Sequence, residues 1–198
     1  GGLCGAVSSY PNKDALIAEL KEDLAALGEK EITSIIIGAL GRVGSGASDL
    51  FDEMGVQVTK WDMAETASGG PFPEILDHDL FINCILARPG TPVFVPNSAK
   101  IEPRKLSVIG DVACDPDSDY NPVPVYDEAT TWAAPALRVH DAPALDVMAI
   151  DNLPSLMPLE SSEDYAAQLL PTLLTLSDLD GNVWQRAEAD FKTHVAKV

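Results

Sequence analysis

Apolar residues occur in two kinds of run along the chain, and their alternation sets the expected architecture. After Asn12, Leu16, Ile17, Leu20, Leu24 and Leu27 recur at helical spacing and Gly28 stops them. That pattern predicts a helix over Pro11 to Leu27, capped by Asn12. Ile32 to Ile37 is short, β-branched and bounded, so it reads as a buried strand. Val43 to Met54 is the next helix, closed by Gly55, and Val56 to Trp61 the second strand. Further strands are expected at Asp79 to Ile85, Leu106 to Asp111 and Asp146 to Ile150. Between them lie Pro-rich loops, Ala87 to Pro103 and Asp115 to Pro124. Loops of such length in an α/β domain usually line a site. Ser161 to Leu176 is an amphipathic helix with hydroxyl and acidic groups at its start, and Asn182 to Val198 a final helix. Gly1 to Ser9 reads as irregular.

Strand, glycine turn, helix, Gly, strand is half of a doubly wound unit. The predicted class is α/β: a Rossmann-like, doubly wound, mostly parallel sheet with extra C-terminal helices. Residues 1–30 form a leading segment, 31–160 the dinucleotide-binding domain and 161–198 the appended helices.

The glycine turn carries the first chemical signal. Ile35-Ile36-Ile37 runs into Gly38-Ala39-Leu40-Gly41-Arg42-Val43-Gly44-Ser45-Gly46, a Gly-x-x-Gly-x-x-Gly variant of the dinucleotide fingerprint. Gly38 allows the tight turn off the strand. Gly41 lets backbone N–H groups approach a pyrophosphate, and Gly44 allows close helix–strand packing. Arg42, inside the turn, offers a cation for phosphate. Asp62 ends the second strand, roughly 20 residues on, where a carboxylate accepts from the adenosine ribose hydroxyls. It also repels a 2′-phosphate, so NAD is expected over NADP.

Charge sharpens this. With 13 Lys and Arg against 31 Asp and Glu, the formal net charge is -18. Such a surface repels nucleic acid and anionic membrane, so neither is an expected partner. An anionic cofactor must then be held by backbone N–H groups and a few local cations. The 198 residues are 46% hydrophobic, enough for one sizeable core. No apolar run is long enough to span a bilayer and no signal segment is visible, so the chain reads as soluble and cytosolic. Cys4, Cys84 and Cys114 are odd in number and lack metal spacing; free thiols are expected.

Two further segments fall at strand ends. Asp111-Val112-Ala113-Cys114-Asp115 follows the fourth strand, where backbone would flank a nicotinamide and Asp115 would pair with a substrate amine. The same region hints at a calcium loop from Asp115, but Tyr120 stands where Gly is required and Tyr126 where Glu is, so no metal is expected. Asp151-Asn152-Leu153-Pro154 follows the fifth strand, either as a plain turn and helix cap or as a loop facing the cofactor. The residues contain no Ser/His/Asp or Cys/His arrangement and no buried-base lysine, so no catalytic residue is assigned.

These blocks, with Lys60-Trp61-Asp62-Met63-Ala64-Glu65-Thr66, Gly69-Gly70-Pro71-Phe72, Phe81-Ile82-Asn83-Cys84-Ile85 and Ile150-Asp151-Asn152-Leu153-Pro154-Ser155-Leu156, resemble the lysine-forming, NAD-dependent saccharopine dehydrogenases. The resemblance runs from about Ser8 to the C-terminus. It implies oxidative cleavage of saccharopine to lysine and 2-oxoglutarate, with hydride passing to NAD, in lysine biosynthesis. It places Gly41 and Arg42 at the pyrophosphate, Asp62 and Thr66 near the adenosine ribose, and Leu86, Val112, Ile150, Asp151, Asn152 and Leu153 on the cofactor. It places Ala113, Cys114 and Asp115 on the substrate. Leu86 stands where family members often carry an aromatic, and Val43 where some carry a cysteine. The family enzyme is roughly twice this long, and its N-terminal domain holds the catalytic lysine and histidine. The resemblance therefore implies a cofactor-binding half that is inactive alone. Two other readings stay open: a non-catalytic NAD-binding module with an exposed apolar patch on the last two helices, and a related NAD-dependent amino-acid dehydrogenase.

Overall fold

A computed structural model describes residues 4–28 and 31–197. Gly1, the start of the expected irregular segment, and Val198, the expected end of the last helix, lie outside the described residues. The helices are α1 (Lys13–Ala26), α2 (Arg42–Met54), α3 (Pro158–Leu173) and α4 (Asn182–Val195). The strands are β1 (Thr33–Ile37), β2 (Gln57–Trp61), β3 (Leu80–Asn83), β4 (Val108–Asp111), β5 (Leu137–Asp141) and β6 (Ala144–Met148).

One six-stranded sheet runs in the order β2-β1-β3-β4-β6-β5. Its first five strands are parallel, and only β5 is antiparallel, against β6. The α/β, mostly parallel expectation therefore holds. Strand β1 lies second from one edge, between β2 and β3. The order reverses between β1 and β3, and in an open parallel sheet a ligand crevice forms outside the strand carboxyl ends at that point.

Side-chain alternation builds the core. Ile35, Ile37, Phe81, Ile109 and Val147 share one sheet face and are almost wholly buried. Loop residues Phe72, Ile75, Phe94, Val123 and Val125 cover that face. The Phe72 ring meets Trp61 edge-on at 5.6 Å and Phe94 at 5.4 Å. The connection between β2 and β3 and the Pro-rich connections after β3 and β4 thus do the covering that crossover helices do elsewhere.

Three differences from the expected elements have local causes. The strand expected from Asp146 begins at Ala144, because a tight turn at Ala142-Pro143 pairs it with β5, which the hydrophobic pattern does not reveal. Residues of β5 are only half-buried, as befits an edge strand, and Arg138 on it bonds Asp146 across the pair. Helix α3 starts at Pro158 rather than Ser161, since proline fixes the first-turn backbone, and Ser161 Oγ instead donates to the Pro154 carbonyl. At α1 the expectation holds: Asn12 Oδ1 accepts the Ala15 amide at 2.9 Å.

Helices α3 and α4 bury no residue fully. Leu170, Leu173 and Leu174 at the end of α3, with Val183, Phe191 and Val195 on α4, are exposed.

Candidate functional site

The chain leaves β1 through Gly38, whose φ of +85° favours glycine. A Cβ there would sit 3.0 Å from the Cys84 carbonyl carbon and oxygen. At Gly44 a Cβ would lie 2.1 Å from the Gly38 carbonyl oxygen, so only glycine lets α2 pack this close to the turn. The N-cap of α2 is Gly41, and no side chain caps the helix. The first-turn N–H groups of α2 thus stand at an exposed glycine turn with the positive end of the helix dipole. That arrangement accepts an anion.

Strand β2 brings Asp62 to the same turn. Asp62 Oδ2 accepts the Leu40 amide at 3.0 Å and Oδ1 accepts its neighbour's Met63 amide at 2.9 Å. Glu65 accepts the Asp62 amide, and Thr66 Oγ1 donates 2.8 Å to the Asp62 carbonyl. The Asp62 carboxylate is thereby fixed in direction, and a carboxylate keeps lone pairs for further donors. A groove of about 500 Å³ opens beside it, bounded by Ile37, Gly38, Asp62, Thr66, Ile85 and Leu86. Arg88 also borders it. Leu86 is 72% exposed there, so an aliphatic side chain occupies the wall. This groove lies at the β1/β3 reversal.

Arg42 lies in the first turn of α2, but its guanidinium is engaged by Asp164 and Gln168 of α3. A second cleft, of about 520 Å³, opens there between Arg42, Pro154, Ser161 and Tyr165.

The turn after β4 continues the carboxyl edge. Val112 N–H donates to the Asn83 carbonyl at 3.0 Å, tying β4's end to β3's. Cys114 takes φ +50°, the one non-glycine positive φ among the described residues. Its thiol donates to the Ala149 carbonyl at 3.1 Å, which joins this turn to the end of β6. Ile150 is buried, whereas Asp151 and Asn152 are exposed and Leu153 begins a short 3₁₀ turn. The fold thus gathers Gly41, Arg42, Asp62, Thr66 and Leu86 around β1 and β2. It gathers Val112, Ala113, Cys114, Asp115 and the Ile150 to Leu153 run around β4 and β6, along one sheet edge.

Two features escaped the sequence reading. Beneath the turn, Asp111 is 1% exposed and bonds both Asn83 and Tyr126. Tyr126 lies 15 residues away in a loop, so no local spacing links them. The Arg42–Asp164 pair spans 122 residues and is equally invisible to a local pattern.

The thiols of this edge are poor nucleophiles. Burial, with Asp111 nearby, pushes Cys84 up to about 11. Burial first, then Asp151, Asp111 and Asp115, raises Cys114 as well. Both stay protonated at neutral pH. Burial against the Asp111 carboxylate also drives the Tyr126 phenol upward.

No protein-family model matches the chain. Its sequence is 48% identical over 202 residues to a protein of Yarrowia lipolytica, saccharopine dehydrogenase [NAD(+), L-lysine-forming], covering 97% of this chain and 55% of that protein. A protein of the same description from Candida albicans is 45% identical, with 100% and 55% covered. One from Schizosaccharomyces pombe is 38% identical, with 98% and 56% covered. The chain spans about half the length of the curated relatives it matches. No helix among the described residues is long and apolar enough to cross a membrane.

Proposed function

We propose that this chain, homologous to part of the lysine-forming saccharopine dehydrogenases, supplies the NAD-binding portion of such an enzyme. The observation that carries the reading is the glycine turn at the sheet reversal with Asp62 locked against it. Both features meet the physical requirements of a dinucleotide, and both lie inside the stretch aligned with the relatives.

The residues fit the cofactor. Gly41 and the uncapped first turn of α2 suit a pyrophosphate, and Gly38 and Gly44 have no room for a side chain. Asp62 and Thr66 suit the adenosine ribose, and Leu86 the groove wall. Val112 and the Ile150 to Leu153 run suit the nicotinamide end, with Ala113, Cys114 and Asp115 on the substrate side. Bound NAD supplies a two-electron hydride acceptor. In the overall reaction saccharopine, NAD and water give lysine, 2-oxoglutarate, NADH and a proton. This chain's part is to bind and orient the cofactor. Arg42, in the first turn of α2, offers a cation to the pyrophosphate on a chain whose net charge is -18.

We place the proton-moving groups on the portion of the relatives' length that this chain does not span. The exposed apolar residues of α3 and α4 suit a surface against that portion. In this reading residues 31–160 are the cofactor domain, 1–30 its leading segment and 161–198 the docking helices. Three unpaired cysteines favour a reducing compartment, the cytoplasm.

The test is calorimetric titration with NAD and with NADP, alongside a hydride-transfer assay with saccharopine. NAD binding with clear preference over NADP, and no turnover by the chain alone, is the expected result. Equal affinity for NADP would defeat the role of Asp62. Robust turnover would defeat the assignment of the proton-moving groups elsewhere.

A further inference from the structure

Asp111 raises a question that cofactor binding alone does not answer. A carboxyl group 1% exposed in an apolar core is costly unless fully hydrogen-bonded. Among the described residues no Lys, Arg or His forms an ion pair with it. Its partners are neutral. Asn83 Nδ2 donates to Oδ1 at 2.9 Å, the Cys114 amide reaches the same oxygen at 3.4 Å, and the Tyr126 hydroxyl donates to Oδ2 at 2.8 Å. Asn83 accepts a cost to do this. Its own Oδ1 is buried without a partner, a penalty incurred because the amide turns its N–H toward Asp111.

The cost falls at one place. Asn83 ends β3, Asp111 ends β4, and the two are register neighbours across the parallel pair. Tyr126 comes from the loop covering the core. All three converge under Val112 to Asp115. At the top of that turn Cys114 holds a positive φ, a conformation that a non-glycine residue keeps only when its surroundings impose it. The Asp111 carboxyl reaches the Cys114 amide from below while the Cys114 thiol is tied to Ala149 on the other side. An apolar residue at 111 would pack without desolvation cost, yet it would leave the Cys114 amide without this acceptor.

We infer that Asp111 is a positioning residue: braced by Asn83 and Tyr126, it sets the conformation of the Val112 to Asp115 turn and so the placement of the nicotinamide end of the dinucleotide. This rests on the NAD-binding reading above. The adenosine end, held by Asp62 and Gly41, lies at the ends of β1 and β2, whereas Asp111 and Tyr126 lie on β4 and the loop beyond it.

The test separates the two ends of the ligand. NAD and ADP-ribose share adenosine, pyrophosphate and a second ribose; only NAD carries nicotinamide. Calorimetric titration of both is made on the unmodified chain, on Tyr126→Phe and on Asp111→Asn, with thermal melts alongside. The expected result is a loss of about tenfold in NAD affinity in Tyr126→Phe, with ADP-ribose affinity changed by less than about twofold. A purely structural role would lower the melting temperature and move both ligands together, or neither, and that outcome overturns the inference. Should Asp111→Asn fail to fold, Tyr126→Phe, which removes one hydroxyl, still decides. If the unmodified chain binds neither ligand, the NAD-binding reading itself fails, a result distinguishable from failure of the Asp111 role alone.

Discussion

Asp62 Oδ2 accepts the Leu40 amide at 3.0 Å, so the carboxylate that ends β2 and the glycine turn that ends β1 form one rigid unit. The relationship means that Asp62 does two jobs, aiming its own free lone pairs and fixing the turn whose N–H groups face the anion.

Replacing Asp62 should therefore weaken and blur cofactor selection. Hydrogen bonds to a charged group are worth about 1.5–3 kcal/mol each, so Asp62→Ala is expected to lower NAD affinity by about 10- to 100-fold. The discrimination against NADP should shrink at the same time, because the charge that repels a 2′-phosphate is gone. Paired titrations with NAD and NADP measure both effects.

Gly44 and Gly46 make an internal pair in α2. A Cβ on Gly44 would lie 2.1 Å from the Gly38 carbonyl oxygen, a backbone atom that cannot swing away, whereas nothing stands within 4 Å of a Cβ on Gly46. Gly44→Ala should destabilise the fold by at least about 3 kcal/mol. Gly46→Ala should stabilise it by up to about 1 kcal/mol through helix propensity. Urea unfolding midpoints of the two variants should move in opposite directions.

Arg42 is shared between two claims on its charge. Its guanidinium is engaged by Asp164, with side chains 66% and 57% exposed, so the pair contributes little to stability. Arg42→Ala should weaken NAD binding by about tenfold and flatten its salt dependence. Asp164→Asn should leave the melting temperature nearly unchanged and raise NAD affinity by up to about fivefold, since the arginine no longer answers to α3. Titrations at low and high salt distinguish these outcomes.

Cys84 makes stability depend on alkaline pH. The fold holds its thiol at about 11, above the ordinary thiol value, so the unfolded chain ionises first as pH rises. The Cys84 contribution is complete below the unfolded thiol pKa and is lost as pH climbs through the folded value. Chemical unfolding of the unmodified chain should show a declining free energy between about pH 8 and about pH 11. The decline should be shallower in Cys84→Ala, with Cys114, Tyr126 and Tyr10, all raised in the fold, contributing to the remainder.

Local order was enough to read β1, α2, β2 and the glycine turn, because each depends on residues within one or two turns of chain, and Asp62 followed from its spacing at the end of β2. Helical and strand periods, a stop glycine and a cap such as Asn12 act over such distances, and the structure places them as expected. The antiparallel β5 carried no comparable signal, since a half-buried edge strand has no apolar run to show. Only the tertiary structure decided which strand ends share an edge. It set Asn83 beside Asp111 and Tyr126 beneath Cys114, and it closed Arg42 onto Asp164 over 122 residues of separation. Those contacts follow from strand order and loop packing. A hydrogen bond between distant residues leaves no periodicity in the chain, and whether a carboxyl is buried is settled only by what folds over it.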